Sequence, residues 1–288
     1  RYKASENQIR ASAKAESSKN RKNTETVISV REAWFRYEKD SKDILCGMNF
    51  DIHAGELTCI VGGNGAGKTT ALMTAAGVFS PYRGKVKYRG KPISTFRKDK
   101  GSAGKIGVLV QNPLCCFVMD SVAEELEATA KAYKLPRSGI EEVIDIMQLQ
   151  SVLGSNPYDI SGGELQRAAI AKLLLPKPEV IFLDEATKGM DAFFKAEFGA
   201  LLRRLAARGT AIVLVSHDIE FCAEFADRCA MFFNGTVIAE GTPQEVFLGN
   251  SFYTTSACRI SRGIIPDALT SEQVIDYANR CERKKNDA

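Results

Sequence analysis

The chain has 288 residues, of which 44% are hydrophobic, and its formal net charge is +4. This composition is ordinary for a globular protein with a sizeable core. No run of 18 apolar residues predicts a membrane-spanning helix, and the polar N-terminal stretch does not predict a signal peptide. Eight cysteines lie scattered without the spacing of metal ligands, so we expect reduced thiols in a reducing compartment rather than a disulfide framework.

Positive charge is concentrated in residues 1–23, where seven Lys or Arg accompany two Glu. This stretch has a net charge of +5, so the remaining residues together carry −1. Because it is also poor in apolar residues, we expect residues 1–25 to form a flexible basic linker. A basic tail alone is weak support for nucleic-acid binding, and no nucleic-acid partner is expected. Since the sequence begins at Arg1 rather than Met, we expect a piece of a longer polypeptide; a trimmed terminus is the alternative.

The first predicted elements are strands. The stretches 27–37 and 47–52 are rich in β-branched and aromatic residues, and the turn at 54–56 leads into a third strand. That strand, Leu57–Val61, is short and fully apolar, which predicts a buried position in a sheet. A helix is predicted to begin soon after it, at 71–76.

The residues between this strand and this helix match the phosphate-binding pattern G-x-x-x-x-G-K-[ST]. A polyphosphate needs several converging backbone N–H groups, and glycines leave those groups accessible. The N-terminus of the following helix would face the phosphates with its positive end. Lys68 would add a positive charge at the β- and γ-phosphates, and the Thr69 hydroxyl could hold Mg²⁺. The candidate phosphate-binding residues are Gly62, Gly63, Asn64, Gly65, Ala66, Gly67, Lys68, Thr69 and Thr70.

The next stretch combines one edge strand, a loop and a helical insertion. We expect an edge strand at 85–88, a loop over the polar residues 90–104, and a buried strand at 106–110 that ends at Gln111. Helical spacing follows at 122–134 and 140–149, separated by Pro136. These helices predict a small helical subdomain inserted into an α/β body.

The C-terminal half places three polar groups at the ends of predicted elements, one at the start of a helix and two after strands. Ser161-Gly162-Gly163-Glu164 opens a helix, and its N-terminus is a second candidate anion site. The apolar strand 180–183 leads to Asp184 and Glu185, and the strand 211–215 leads to His217. Asp184 could hold Mg²⁺ and Glu185 could orient or deprotonate a water, although a carboxylate pair at a strand end is often only a solvated turn. His217 is a candidate γ-phosphate contact, and an ordinary half-buried histidine is the alternative.

Alternating strands and helices predict an α/β fold with a mostly parallel sheet covered on both faces. In such sheets ligands bind beyond the carboxyl ends of the strands. Gly62, Gln111, Asp184 and His217 each follow a predicted strand, so we expect them to converge there. A hairpin turn at 234–235 and a helix beginning at Thr242-Pro243 complete this body.

Taken together, these motifs resemble the ATP-binding subunits of ABC transporters over roughly residues 27–247. They stand in the family's order: the phosphate loop Gly62–Thr69, the Q-loop Gln111, the signature Ser161–Glu164, the Walker B strand Val180–Glu185, Asp191 at the end of the D-loop, and the switch histidine His217.

The resemblance implies a P-loop NTPase core with an antiparallel β subdomain and a small helical subdomain. It implies MgATP as substrate, Glu185 and His217 as catalytic residues, and Gln111 as a coupling residue that reaches the metal together with Thr69 and Asp184. It also implies that Ser161, Gly162, Gly163 and Glu164 close over the ATP of a second ABC ATPase domain. Tyr37 is a candidate for stacking on adenine, and edge packing is the alternative.

The expected domains are the linker 1–25, the ATPase domain 26–249 with its helical subdomain at about 113–175, and a C-terminal extension 250–288. The extension resembles that of the energy-coupling-factor ATPases, which power importers of vitamins or metal ions, and a local cap is the alternative. The variant Lys188-Gly189-Met190-Asp191 suits the second half of a tandem. In that family the protein lies peripherally on the cytoplasmic face of the membrane, and a transmembrane scaffold would contact residues 113–135. Phe117, Val118 and Met119 are then either a partner surface or core.

Two other functions compete with transport. A soluble ABC ATPase acting on ribosomes or nucleic acid would explain the basic tail, but the chain lacks the long coiled-coil insertion typical of that class. A regulatory module that binds nucleotide without hydrolysis is opposed by the presence of Glu185 and His217.

Overall fold

The computed structural model describes residues 25–248, 253–265 and 267–286. Its strands are β1 (Thr26–Phe35), β2 (Leu45–His53), β3 (Leu57–Val61), β4 (Arg83–Tyr88), β5 (Lys91–Pro92), β6 (Ile106–Leu109), β7 (Val180–Asp184), β8 (Ala211–Val215), β9 (Arg228–Phe233) and β10 (Thr236–Gly241). Its helices are α1 (Lys68–Ala75), α2 (Ile93–Lys98), α3 (Val122–Ala132), α4 (Arg137–Met147), α5 (Gly162–Leu174), α6 (Ala192–Ala207), α7 (Ile219–Phe225), α8 (Pro243–Phe247), α9 (Ser256–Ser261) and α10 (Ser271–Asn286). The predicted linker lies outside the described residues except for Glu25.

Two sheets organise the described residues. The larger has the order β10-β9-β3-β8-β7-β6, and every neighbouring pair is parallel except β10 with β9. The smaller has the order β2-β1-β4-β5 and is antiparallel. The predicted α/β body with a mostly parallel sheet and an antiparallel subdomain is therefore confirmed.

The central strands of the larger sheet are apolar because both of their faces are covered. Every residue of β3, β7 and β8 is buried, as parallel strands between helical layers require. One core cluster joins this sheet to α5 and α6, and a second joins it to α1 and the antiparallel sheet. The carboxyl ends of β3, β7 and β8 therefore lie together at one edge of the sheet, and the strands that lead to them are held in the core.

The region between β4 and β6 differs from the prediction in two ways. Residues 90–104 were expected to be a loop, but they contain β5, α2 and a short 3-10 helix. Ile93 is buried, and Phe96 stacks on Tyr88 with ring centroids 4.0 Å apart, so a few apolar residues suffice to hold this polar segment. The strand predicted at 106–110 is only partly buried, because β6 is an edge strand of the larger sheet.

The C-terminal elements lie against the body. Asn234 and Gly235 both have positive φ, as the predicted hairpin turn requires, and Thr242 caps α8 in a capping box with Pro243 at the first helical position. The larger core cluster includes Cys258 and Leu269 of the extension. Asn250, Ser251 and Phe252, which begin the extension that resembles the energy-coupling-factor ATPases, lie outside the described residues.

In the part of the chain that the structure describes, we find no helix with the length and apolar character needed to cross a bilayer.

Candidate functional site

The loop between β3 and α1 is shaped by two glycines that touch neighbouring backbone. Gly62 has φ +151°, and a Cβ there would lie 2.3 Å from the carbonyl oxygen of Phe232. Gly67 has φ +98°, and a Cβ there would lie 2.9 Å from the carbonyl oxygen of Ile44. Larger residues would therefore displace the loop, which explains glycine at these two positions. Asn64 and Gly65, between them, are exposed at the rim.

Lys68 is enclosed by this loop. Its side chain is only 6% exposed, and its Nζ donates to the carbonyl oxygens of Gly62 and Gly63 at 2.9 Å each. Burial lowers the pKa of Lys68, while the nearby carboxylates of Glu185 and Asp184 act in the opposite direction. The ammonium group is thus held by the loop that would surround the phosphates.

Asp184 lies beside Thr69 at the end of β7. The Thr69 hydroxyl donates to Asp184 Oδ2 at 2.8 Å, although the two residues are 115 positions apart. Asp184 is 1% exposed, and its Oδ1 has no hydrogen-bond partner among the described residues. Burial raises the pKa of Asp184, with a further increase from Glu185 and an opposing effect of the Thr69 hydrogen bond. A buried carboxylate oxygen without a partner, next to a hydroxyl, is an arrangement that fits Mg²⁺.

Glu185 is connected to two of the other predicted site residues. Its Oε1 lies 3.1 Å from His217 Nε2, and its Oε2 accepts from Gln111 Nε2 at 3.5 Å. The backbone of Glu185 is left-handed, with φ +53°, and its N–H donates to the Val215 carbonyl at 2.9 Å. A left-handed backbone at a residue other than glycine costs about 1 kcal/mol or more. The carboxylate is therefore positioned by β7 and by the segments that follow β6 and β8.

Tyr37 lies on the surface beside the phosphate loop rather than inside the core. Its side chain is 60% exposed, its hydroxyl is 3.0 Å from Thr70 Oγ1, and its ring meets those of Phe35 and Phe79 edge-on. Edge packing fixes the ring, and the exposed remainder is available for stacking. Both interpretations of Tyr37 thus have a structural basis.

The signature residues are not joined to this group. Ser161 caps α5 and exchanges hydrogen bonds with Glu164, whose carboxylate accepts from the Ser161 hydroxyl at 2.6 Å and from its N–H at 2.9 Å. These hydrogen bonds lower the pKa of Glu164. Ser161 and Gly162 are exposed, and α5 packs mainly on the helical subdomain and on β6. The N-terminus of α5 therefore faces outward from the chain.

Tyr253 lies at the loop although no sequence pattern predicts it there. A Cβ on Gly63 would lie 3.3 Å from the hydroxyl oxygen of Tyr253, so the C-terminal extension reaches the phosphate loop. No local pattern marks Tyr253, because the contact joins residues 190 positions apart.

The fold and this arrangement define a P-loop nucleotide-binding domain of the ABC ATPase type. A family model described as "ABC transporter" matches residues 45–188. The chain belongs to this family, as its motifs predicted. The family's fold also recurs in solved structures: cbiO1 from Clostridium perfringens, described as part of the ABC transporter complex cbiONQ, is 29% identical with a TM-score of 0.67 and covers 77% of this chain and 90% of that chain.

Two relatives show which members of the family the chain is similar to. The energy-coupling factor transporter ATP-binding protein EcfA of Methanocaldococcus jannaschii is 32% identical over 226 residues, which cover 77% of this chain and 81% of that protein. A relative from Bacillus cereus is 39% identical over 258 residues, which cover 89% of this chain and 46% of the relative. The chain thus spans about half the length of several relatives that it matches.

Proposed function

We propose that this chain binds and hydrolyses MgATP in a dimer of ABC domains and thereby powers import through separate membrane subunits of the energy-coupling-factor type. The observation that carries the proposal is the convergence of Lys68, Asp184, Glu185 and His217 at one edge of the larger sheet. Kinship to EcfA and the likeness to cbiO1 support the transport role. The soluble alternative, acting on ribosomes or nucleic acid, has only the basic tail in its favour.

The residues of the site would have different roles. The backbone of Gly62–Gly67, Lys68 and Thr70 would hold the phosphates, with Tyr37 against the base. Thr69, Asp184 and Gln111 would hold Mg²⁺, which when bound neutralises phosphate charge. Glu185 would orient or deprotonate the attacking water, and His217, 3.1 Å from Glu185, would contact the transferred phosphoryl group.

A second ABC domain is needed to complete the site. Ser161 and Gly162 are exposed, Gly163 and Glu164 are half-buried, and none of the four contacts the phosphate loop within the described chain, so within one chain they would leave the phosphates uncovered. In a dimer they would close over the ATP of the neighbouring domain. The half-length match to longer relatives supports a fused neighbour of the same kind, and the separate chain would then pair with a second copy of itself.

The surface after Gln111 is the proposed contact for the membrane subunits. Phe117 is buried, whereas Val118 is 82% exposed, so the apolar run is divided between core and surface. The backbone N–H groups of Val118 and Met119 donate to the buried Glu125, and Lys172 of α5 pairs with the same carboxylate at 2.5 Å. This contact surface is thereby tied to the signature helix. Peripheral attachment to the cytoplasmic face of the membrane would follow.

The variant Glu185→Gln tests the proposal. It keeps the shape of the side chain but removes the base, so hydrolysis should fall by about 10²–10⁴-fold while MgATP still binds. Bound ATP should then hold two chains together, and size-exclusion chromatography in MgATP should show a dimer. Glu142→Gln, at an exposed ion pair with Lys177, is the control and should behave as the unmodified chain. A monomeric Glu185→Gln variant in saturating MgATP would contradict the proposal.

A further inference from the structure

The C-terminal extension touches the nucleotide site at one point and the body at several. Its first described residue, Tyr253, packs against the larger core cluster and places its hydroxyl beside Gly63. Gly63 is one of the two loop residues whose carbonyls accept from Lys68. The tyrosine oxygen therefore lies against the part of the loop that positions the ammonium group.

Behind Tyr253 the extension is firmly packed. Thr254 and Thr255 are buried, and the Thr255 hydroxyl caps α9 by accepting from the Cys258 N–H at 3.1 Å. The N–H of Ser256 donates to Glu220 of α7 at 2.8 Å. Since α7 begins two residues after His217, the same short segment contacts the phosphate loop and the helix that follows the switch histidine.

We propose that Tyr253 is a positioning residue of the nucleotide site. Its hydroxyl fixes the Gly63 end of the phosphate loop, and its backbone connects that loop to α7 through Thr255 and Ser256. Binding of a nucleoside triphosphate then further restrains the already packed extension, and the extension in turn favours the binding-competent loop, because such coupling is reciprocal. The inference rests on the proposed assignment of Gly62–Thr70 as the phosphate loop.

The variant Tyr253→Phe separates this role from simple packing. It removes one oxygen and keeps the ring against the core, so the unfolding midpoint without nucleotide should change only slightly. The KM and Kd for MgATP should rise by about three- to tenfold, because the oxygen that lies against Gly63 is lost, with kcat nearly unchanged. Tyr277→Phe, on the exposed face of α10 in the same extension, is the matched control and should leave both constants unchanged.

Hydrogen exchange gives the reciprocal measurement. MgATP should slow amide exchange in residues 253–265 of the unmodified chain, and this protection should be lost in Tyr253→Phe. The inference is overturned if Tyr253→Phe binds MgATP like the unmodified chain, or if it lowers the unfolding midpoint and kcat while KM stays constant. If the unmodified chain fails to bind MgATP, the assignment of the phosphate loop itself is wrong, and the inference fails with it.

Discussion

The two proposed anion sites of this chain are built differently. Around the phosphate loop, residues at or just beyond the ends of β3, β6, β7 and β8 contact one another. Thr69 is hydrogen-bonded to Asp184 across 115 positions of sequence. At the N-terminus of α5, the side chains of Ser161 and Glu164 are hydrogen-bonded to each other, and the Ser161 carbonyl accepts from the Leu165 N–H of the same helix. The first site is assembled by the tertiary fold, and the second is a local helix cap.

This difference is the basis for proposing that the chain works together with a second ABC domain. A cap of three or four residues at the surface offers N–H groups to an anion but cannot enclose it. The phosphate loop supplies charge and shape but leaves Asn64, Gly65 and Thr69 exposed. Each site supplies what the other lacks, so a pair of chains arranged head to tail would enclose two nucleotides. The following predictions separate the two sites.

The largest difference is expected between Lys68→Ala and Ser161→Arg. Removing the buried ammonium group should weaken MgATP binding to the monomer by about 100-fold, since a charge-assisted contact with phosphate is lost. Ser161→Arg should leave monomer binding within about twofold, because Ser161 lies outside the loop, and yet abolish hydrolysis. Isothermal titration with MgATP at low protein concentration measures the affinity of both variants, and a phosphate-release assay measures their hydrolysis. Equal losses of affinity in the two variants would show that the sites are not separate.

A smaller effect is expected from Asp184→Asn. The amide cannot replace a carboxylate toward Mg²⁺, so the affinity for MgATP should fall by about tenfold or more while Mg²⁺-free ATP binds unchanged. Because burial raises the pKa of Asp184, protons should compete with Mg²⁺ at a higher pH than an ordinary aspartate allows. Titrations of Mg²⁺ at decreasing pH measure this competition, and Asp191→Asn, the cap of α6, is the control.

The same raised pKa has a consequence for stability. A folded-state pKa above the unfolded value means that the folded chain binds the proton more tightly, so stability contributed by Asp184 is lost as pH rises through the folded pKa. Asp184→Asn should therefore raise the unfolding temperature at neutral pH without nucleotide, and the increase should shrink in acid. A lower unfolding temperature at neutral pH would show that the carboxylate stabilises the fold.

The smallest effect is expected at Tyr37. Tyr37→Ala removes the ring but leaves the phosphate contacts, so affinity for MgATP should fall by about fivefold, and Tyr37→Phe should retain most of it. Tyr82→Ala, which removes another exposed tyrosine of the same subdomain, is the control. Fluorescence titration with an ATP analogue labelled on the ribose compares the three. Unchanged affinity in Tyr37→Ala would leave edge packing as the role of this residue.

Sequence patterns succeeded where the structure is local. The strand Leu57–Val61, the hairpin turn at Asn234-Gly235 and the capping box at Thr242 each depend on adjacent residues, and each has the expected conformation. The segment 90–104 was wrongly predicted to be a loop because α2 is held by the stacking of Phe96 on Tyr88 rather than by its own periodicity.

Contacts between distant residues set the limit of prediction at the site. The order of the strands implied that Asp184 and His217 would lie near the phosphate loop, because carboxyl ends of parallel strands share an edge. No such rule covers Tyr253, since the path of an irregular C-terminal segment depends on side-chain packing against α7. The left-handed backbone of Glu185 was equally invisible in the sequence.

Mixing two inactive variants tests the shared site most directly. Lys68→Ala lacks a working phosphate loop and Ser161→Arg lacks a working signature, so each alone should release no phosphate from MgATP. In a mixed dimer, the loop of the Ser161→Arg chain meets the intact signature of the Lys68→Ala chain, which restores one complete site. Equimolar mixing should therefore recover about a quarter of the unmodified rate, because half of the dimers are mixed and each has one of two sites. A mixture as inactive as its components would contradict the account.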